Sequence, residues 1–198
     1  MIEARALRLG QIGLSNQPAH HTPFMYSFTG QHHRTQWLTR EILHRLFVGS
    51  DIGQGYPGDE DNGEMSAWWL FAAMGLYPLH LGSGELVITA PLFERFAFTR
   101  DNGAVIEVVA TGVEHRYIQS VKVNGEEWDQ VTIGLGEFED DVLLEVELGS
   151  EPSAWAADSR PSSLSTWRGA AGPVADSWRA DLTLTARVER FGRLSEAL

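Results

Sequence analysis

The chain has 198 residues, a formal net charge of −12 from 27 acidic and 15 basic side chains, and no cysteine. So few cations argue against nucleic-acid binding through phosphates, and the missing cysteines exclude a disulfide framework and a thiolate metal site. No apolar run reaches the ~18 residues of a membrane span, and Met1-Ile2-Glu3-Ala4-Arg5 lacks the apolar core of a signal peptide.

Residues 1–33 show no clear periodicity and read as loop, with one short helix at 23–28. A helix is expected over 34–48, where Leu38, Ile42, Leu43, Leu46 and Phe47 form one apolar stripe with Arg34, Arg40 and Glu41 off it. Gly49 stops it. A loop then leads to a second helix over 65–74, in which Trp68, Trp69, Ala72 and Ala73 recur at helical spacing. Asn62 or Gly63 caps its start, and Gly75 with Pro78 ends it. Beyond Pro78 the period changes to two. Strands are expected at 86–88, 96–98, 105–109, 117–123 and 142–148, with hairpin turns at Asn102-Gly103 and Asn124-Gly125. These make an antiparallel sheet, read as a small β-sandwich. Residues 159–178 read as a loose tail, and 183–188 as a last strand.

The most informative stretch is the loop Pro57-Gly58-Asp59-Glu60-Asp61-Asn62-Gly63-Glu64, directly before the Trp-rich helix. Crowded carboxylates repel one another, and an apolar wall disfavours their charged forms. Carboxylates so placed suit a cation or general acid–base chemistry. The bland alternative is a solvated acidic turn capping a buried helix; it leaves the aromatic density unexplained. For Glu60 itself, plain solvation is the expectation. His20-His21 and His32-His33 are adjacent pairs whose rings point apart, a poor arrangement for a transition metal.

A set of motifs follows one order: Leu14-Ser15-Asn16-Gln17-Pro18-Ala19-His20-His21, Tyr26-Ser27-Phe28-Thr29-Gly30-Gln31, the acidic loop continuing through Met65-Ser66-Ala67-Trp68, Gly75-Leu76-Tyr77-Pro78, Gly82-Ser83-Gly84-Glu85, Ala90-Pro91-Leu92-Phe93, Arg116–Val121 and Val123-Asn124-Gly125. In that order they resemble the C-terminal part of the calcium-dependent exo-α-mannosidases of glycoside hydrolase family 92. The resemblance covers roughly residues 12–165. It implies an α+β fold: residues 1–80 as the last helices and catalytic loop of an (α/α) barrel, 81–165 as an antiparallel β domain, and 166–198 as a tail outside the match.

The resemblance also implies roles. Asp61 would be the general base of an inverting displacement and Asp59 its partner, set back from the acid by the roughly 6.5–9.5 Å that leaves room for water. Calcium would sit beside the sugar, with Asn16 and Asp61 as ligands. Gln17, His21 and Trp68 would contact substrate; for His21 the alternative is packing against Tyr26, and for Trp68 or Trp69 burial in the barrel core. Gln17 departs from the family's usual Asn-Glu-Pro. The family's general acid is a glutamate upstream, with no matching motif before Leu14. The expectation is therefore a fragment of an α-mannosidase acting on mannose-containing glycans, inactive alone. It would pair with the missing N-terminal part of the enzyme or with itself through exposed faces such as Leu38, Ile42 and Leu46. The full-length enzyme would be extracellular or periplasmic. Alternatives are a non-catalytic carbohydrate-binding domain or an inactive remnant.

Overall fold

The computed structural model of the protein describes residues 12–47 and 55–163. The fold is α+β. After 3-10 turns at Gln17–Ala19 and Thr22–Thr29 come helix α1, His32–Arg45, and helix α2, Glu64–Met74. Strand β1, Leu76–Tyr77, pairs antiparallel with β2, Glu85–Ile88, which pairs in turn with β7, Thr132–Gly134. A second sheet contains β3 (Arg95–Thr99), β4 (Val105–Thr111), β5 (Tyr117–Val123), β6 (Glu126–Glu127) and β8 (Val142–Gly149), in the order β3-β4-β8-β5-β6.

Each strand expected between residues 86 and 148 exists, but the sheet is not purely antiparallel: β4 and β8 run parallel. Chain direction requires it. β8 is antiparallel to β5 and lies between β4 and β5, which run opposite ways. A strand inserted between two opposed strands must be parallel to one of them. Alternation buries Val142, Leu144, Val146 and Leu148 on one face of β8. A register shift between Ile118 and Ser120 moves the buried set of β5 to Ile118, Val121 and Val123. The Asn124-Gly125 turn has positive φ at both residues, 51° and 85°, as the tight hairpin between β5 and β6 demands.

Helix α1 starts two residues before its expected boundary, and its buried side is far more polar than its apolar stripe suggests. Ile42, Leu43 and Leu46 are buried as expected. Arg40 and Glu41, expected off the buried side, are only 4% and 8% exposed. Arg40 donates to the carbonyls of Pro91 (3.0 Å), His115 (2.5 Å) and Val113. Glu41 accepts from Arg116 at 2.9 Å and pairs with Arg45 at 2.7 Å. Gln36 accepts from the Ile118 N–H at 3.0 Å. These bonds satisfy backbone groups at the strand ends, which is what makes the burial of such polar side chains tolerable. Helix α1 is thereby fastened to β5 and to the segments flanking it.

At the end of α2, Gly75 is left-handed (φ +77°), and a Cβ there would stand 2.6 Å from the Thr89 carbonyl oxygen and 2.8 Å from Pro91. Only glycine lets the chain turn directly into β1 at this spacing. Residues 159–163, expected as tail, are tied down. Ser159 Oγ accepts from the Val131 N–H (2.9 Å), and Ser162 donates to Glu85 (2.6 Å). Trp155 anchors the same segment through its indole N–H to the Trp128 carbonyl, 2.8 Å. The expected strand at 183–188 and the rest of the tail lie outside the described residues.

Candidate active site

Two loops form the site. The first runs from Leu14, 1% exposed, through the 3-10 turn at Gln17–Ala19, which Pro18 helps to start. The second is the acidic loop. They meet backbone to backbone: a Cβ on Gly58 would overlap the Ser15 side chain. Across the junction Gln17 Nε2 donates to Asp61 Oδ2 at 2.7 Å, joining residues 44 positions apart.

Asp61, Asn62 and Gly63 are all left-handed, with φ of 58°, 59° and 101°. Aspartate and asparagine tolerate this region better than most residues, yet the run stores strain of about 1–3 kcal/mol per non-glycine residue. Glu60 offsets it. Its carboxylate accepts from the Gly63 N–H and, at 3.2 Å, the Ser66 N–H, while its carbonyl accepts from the Met65 N–H at 3.1 Å. Glu60 stays partly open to solvent, as expected, and in addition it satisfies free N–H groups that open α2, where neither Asn62 nor Gly63 supplies a side-chain cap. These hydrogen bonds, the Gly63 N–H foremost, hold the Glu60 carboxyl below the usual carboxylate range.

Behind this rim lies a second contact. His20 is 7% exposed. Its Nε2 faces the Leu14 carbonyl oxygen at 2.9 Å, and its Nδ1 faces Glu64 Oε1 at 3.3 Å. The His20 carbonyl accepts the Trp68 indole N–H at 3.0 Å. Trp68 is 2% exposed and stacks on Phe47, with ring centroids 5.5 Å apart. With one face covered and the ring buried, Trp68 offers no platform to a sugar; the substrate role expected for it is corrected to support of the first loop. Tyr77, stacked on Phe24 at 3.8 Å, is pushed up to about 12, by burial first and then by the Glu64 charge.

Of the other expected site residues, Asn16, Gln17 and His21 are exposed on the first loop, and Asp59 is exposed on the second. The Asn16 side chain makes no capping bond to the turn it begins. His20, Glu64 and the capping role of Glu60 escaped the sequence reading. The adjacent His20-His21 pair was visible, but which ring would be buried was not.

Calcium takes about six to eight oxygens. Glu60 and Glu64 are already engaged, and one Asp61 oxygen is held by Gln17. Among the described residues no three His, Cys, Asp or Glu side chains converge on a metal position. The described residues therefore do not by themselves fit a calcium ion.

Residues 2–150 match the model of the glycosyl hydrolase family 92 catalytic domain. A curated relative from Arthroderma benhamiae, described as an uncharacterized secreted glycosidase, is 30% identical over 147 residues, which is 72% of this chain and 19% of the relative. A family GH92 alpha-mannosidase from Bacteroides thetaiotaomicron superposes with a TM-score of 0.72 at 26% identity, covering 79% of this chain and 22% of its own. A family GH92 inverting mannosidase of the same organism gives 0.71 at 33% identity, covering 82% and 22%. The chain thus spans about a fifth of the length of these proteins. With residues 2–150 matched to that model, the chain belongs to glycosyl hydrolase family 92.

Proposed function

We propose that this chain carries the water-activating half of an α-mannoside-hydrolysing site. The contact that supports it most is Gln17–Asp61, which draws the two loops together at a carboxylate on the protein's surface. In this reading Asp61 takes a proton from water as the water oxygen bonds to the anomeric carbon. The bond to the leaving oxygen breaks from the opposite face, so the configuration inverts. Asp59 supports Asp61 from two residues away on the same loop. The leaving oxygen receives its proton from an acid in the upstream part of the family's domain. Gln17 is an orienting donor here, since a neutral amide can hold an ionised carboxylate where a second carboxylate would repel it.

Asn16, His21 and the free side of Asp61 face the substrate in this reading. Calcium, which the resemblance implies, would take most of its ligands from outside the described residues. The two helices are the end of an (α/α) barrel and residues 81–165 the β domain behind it, with a sandwich arrangement of its sheets. In this reading the isolated 198-residue chain does not turn over mannosides, because the acid comes from the upstream part of the family's domain. Its partner is the rest of the family's domain or a second copy. Helix α2 supports this: it is apolar around its whole circumference, yet Leu70 is 42% exposed, as is Phe93 to 40% beside Trp69. Of the residues named from sequence for such a face, Ile42 and Leu46 are buried and Leu38 is half-buried. The full enzyme acts outside the cell or in a periplasm on mannose-containing glycans, in line with a relative described as secreted. No helix among the described residues is long and apolar enough to cross a membrane.

The test is a chimera in which residues 12–163 replace the corresponding segment of the family's inverting mannosidase. Release of mannose from mannobiose with inversion supports the reading; a folded chimera without turnover contradicts it.

A further inference from the structure

The two contacts between the loops form a matched pair. Gln17 and His20 stand three apart on the first loop, linked by the bond from the His20 N–H to the Gln17 carbonyl at 3.0 Å. Asp61 and Glu64 stand three apart on the second, linked by the Glu64 N–H and the Asp61 carbonyl at 3.4 Å. Gln17–Asp61 is the exposed rung, and His20–Glu64 the rung behind it. A shift in either turn moves both rungs together.

His20 stands between two acceptors. A carbonyl oxygen only accepts, so His20 Nε2 carries a hydrogen toward Leu14. On the other side of the ring Nδ1 lies 3.3 Å from Glu64 Oε1. We propose that His20 is a positioning residue for Asp61: its ring, set between Leu14 and Glu64, holds the Gln17 amide on the Asp61 carboxylate. The charged and titratable groups around it, among the described residues, are Glu64 from α2, Asp61 from the turn before α2, and Tyr77 from β1, whose phenol feels the Glu64 charge. Trp68 closes the remaining side through the His20 carbonyl. Its significance for turnover rests on the assignment of Asp61 as base; the geometric claim does not.

The experiment uses the whole chain labelled with nitrogen-15 and reads the Gln17 side-chain amide, displaced downfield by its bond to Asp61. The expected result is a displaced Gln17 amide in the wild type, with that displacement lost in His20→Ala. Glu64→Gln should keep the displacement, because the amide still offers the His20 ring a polar partner. Glu64→Ala should lose it, and it decides the matter if His20→Ala does not fold. A Gln17 amide that ignores both alanine substitutions would overturn the proposal. Failure of the mannosidase chimera with this signal intact would instead count against Asp61 as base.

Discussion

Replacing Arg40 with methionine should destabilise the fold by about 3 kcal/mol. The guanidinium is 4% exposed and donates to the carbonyls of Pro91, Val113 and His115. A hydrogen bond to a charged group is worth roughly 1.5–3 kcal/mol, so three bonds set an upper bound of about 5–9 kcal/mol. Two effects reduce it. Burial and the neighbouring Arg116 charge both lower the Arg40 pKa, a sign that the native cation is itself strained by desolvation, and methionine removes that cost. The bonds to Val113 and His115 lie only partly buried, so water can replace the lost donors there. The Pro91 carbonyl lies deeper and is left unpaired, which alone costs about 1–3 kcal/mol. Methionine keeps the packing of the aliphatic stem. Urea unfolding followed by tryptophan fluorescence measures the change, and an unchanged m-value would show that the denatured state is the same. Arg40→Lys should fall between, since an ammonium lacks the planar fork. A methionine variant within ~0.5 kcal/mol of wild type would refute the argument that this side chain fastens α1 to the strand ends.

Glu60 makes stability depend on pH: its folded pKa is depressed, so its contribution is complete above the unfolded carboxylate value and is lost as pH falls through the lower folded value. Glu60→Gln should therefore be less stable than wild type at neutral pH, with the gap closing in acid; a gap constant across an acid titration would show that Glu60 does not bind the helix start as a carboxylate. Gly58→Ala should part the two loops, because its Cβ would overlap Ser15, and the downfield shift of the Gln17 amide should vanish in a protein that still unfolds cooperatively. Incubation of the isolated chain with mannobiose and calcium should release no mannose; release that stops with a chelator and in Asp61→Asn would show that an acid exists within these residues.

Regular periodicity made most elements legible. The α2 boundaries lie within one residue of expectation, and the strands from β2 to β5 and β8 fall where alternation placed them. Short pieces escaped. β1, β6 and β7 span only two or three residues, and their pairing comes from tertiary contact rather than pattern. The parallel β4–β8 pair was illegible because it depends on where a late strand is inserted. Arg40 and Glu41 misled the reading of α1 because a polar residue reads as solvated until its partners are in place. The same held for residues 159–163, whose Ser, Arg and Pro composition signals a loop but cannot reveal bonds to Val131 and Glu85. At the site, the two loops and the carboxylates were visible in their motifs. The division of labour was not: Glu60 caps, Trp68 is covered, and His20 reaches across.

The most direct test of the central claim is turnover by the family chimera carrying Asp61→Asn. General-base catalysis contributes roughly 10²–10⁴-fold, and asparagine keeps the shape and a hydrogen-bond acceptor while removing the charge. A fall in kcat of about 10²-fold or more, with KM little changed, is the predicted result. An Asp61→Asn chimera whose kcat stays within a few-fold of its parent would contradict the assignment of Asp61 as the base that activates water.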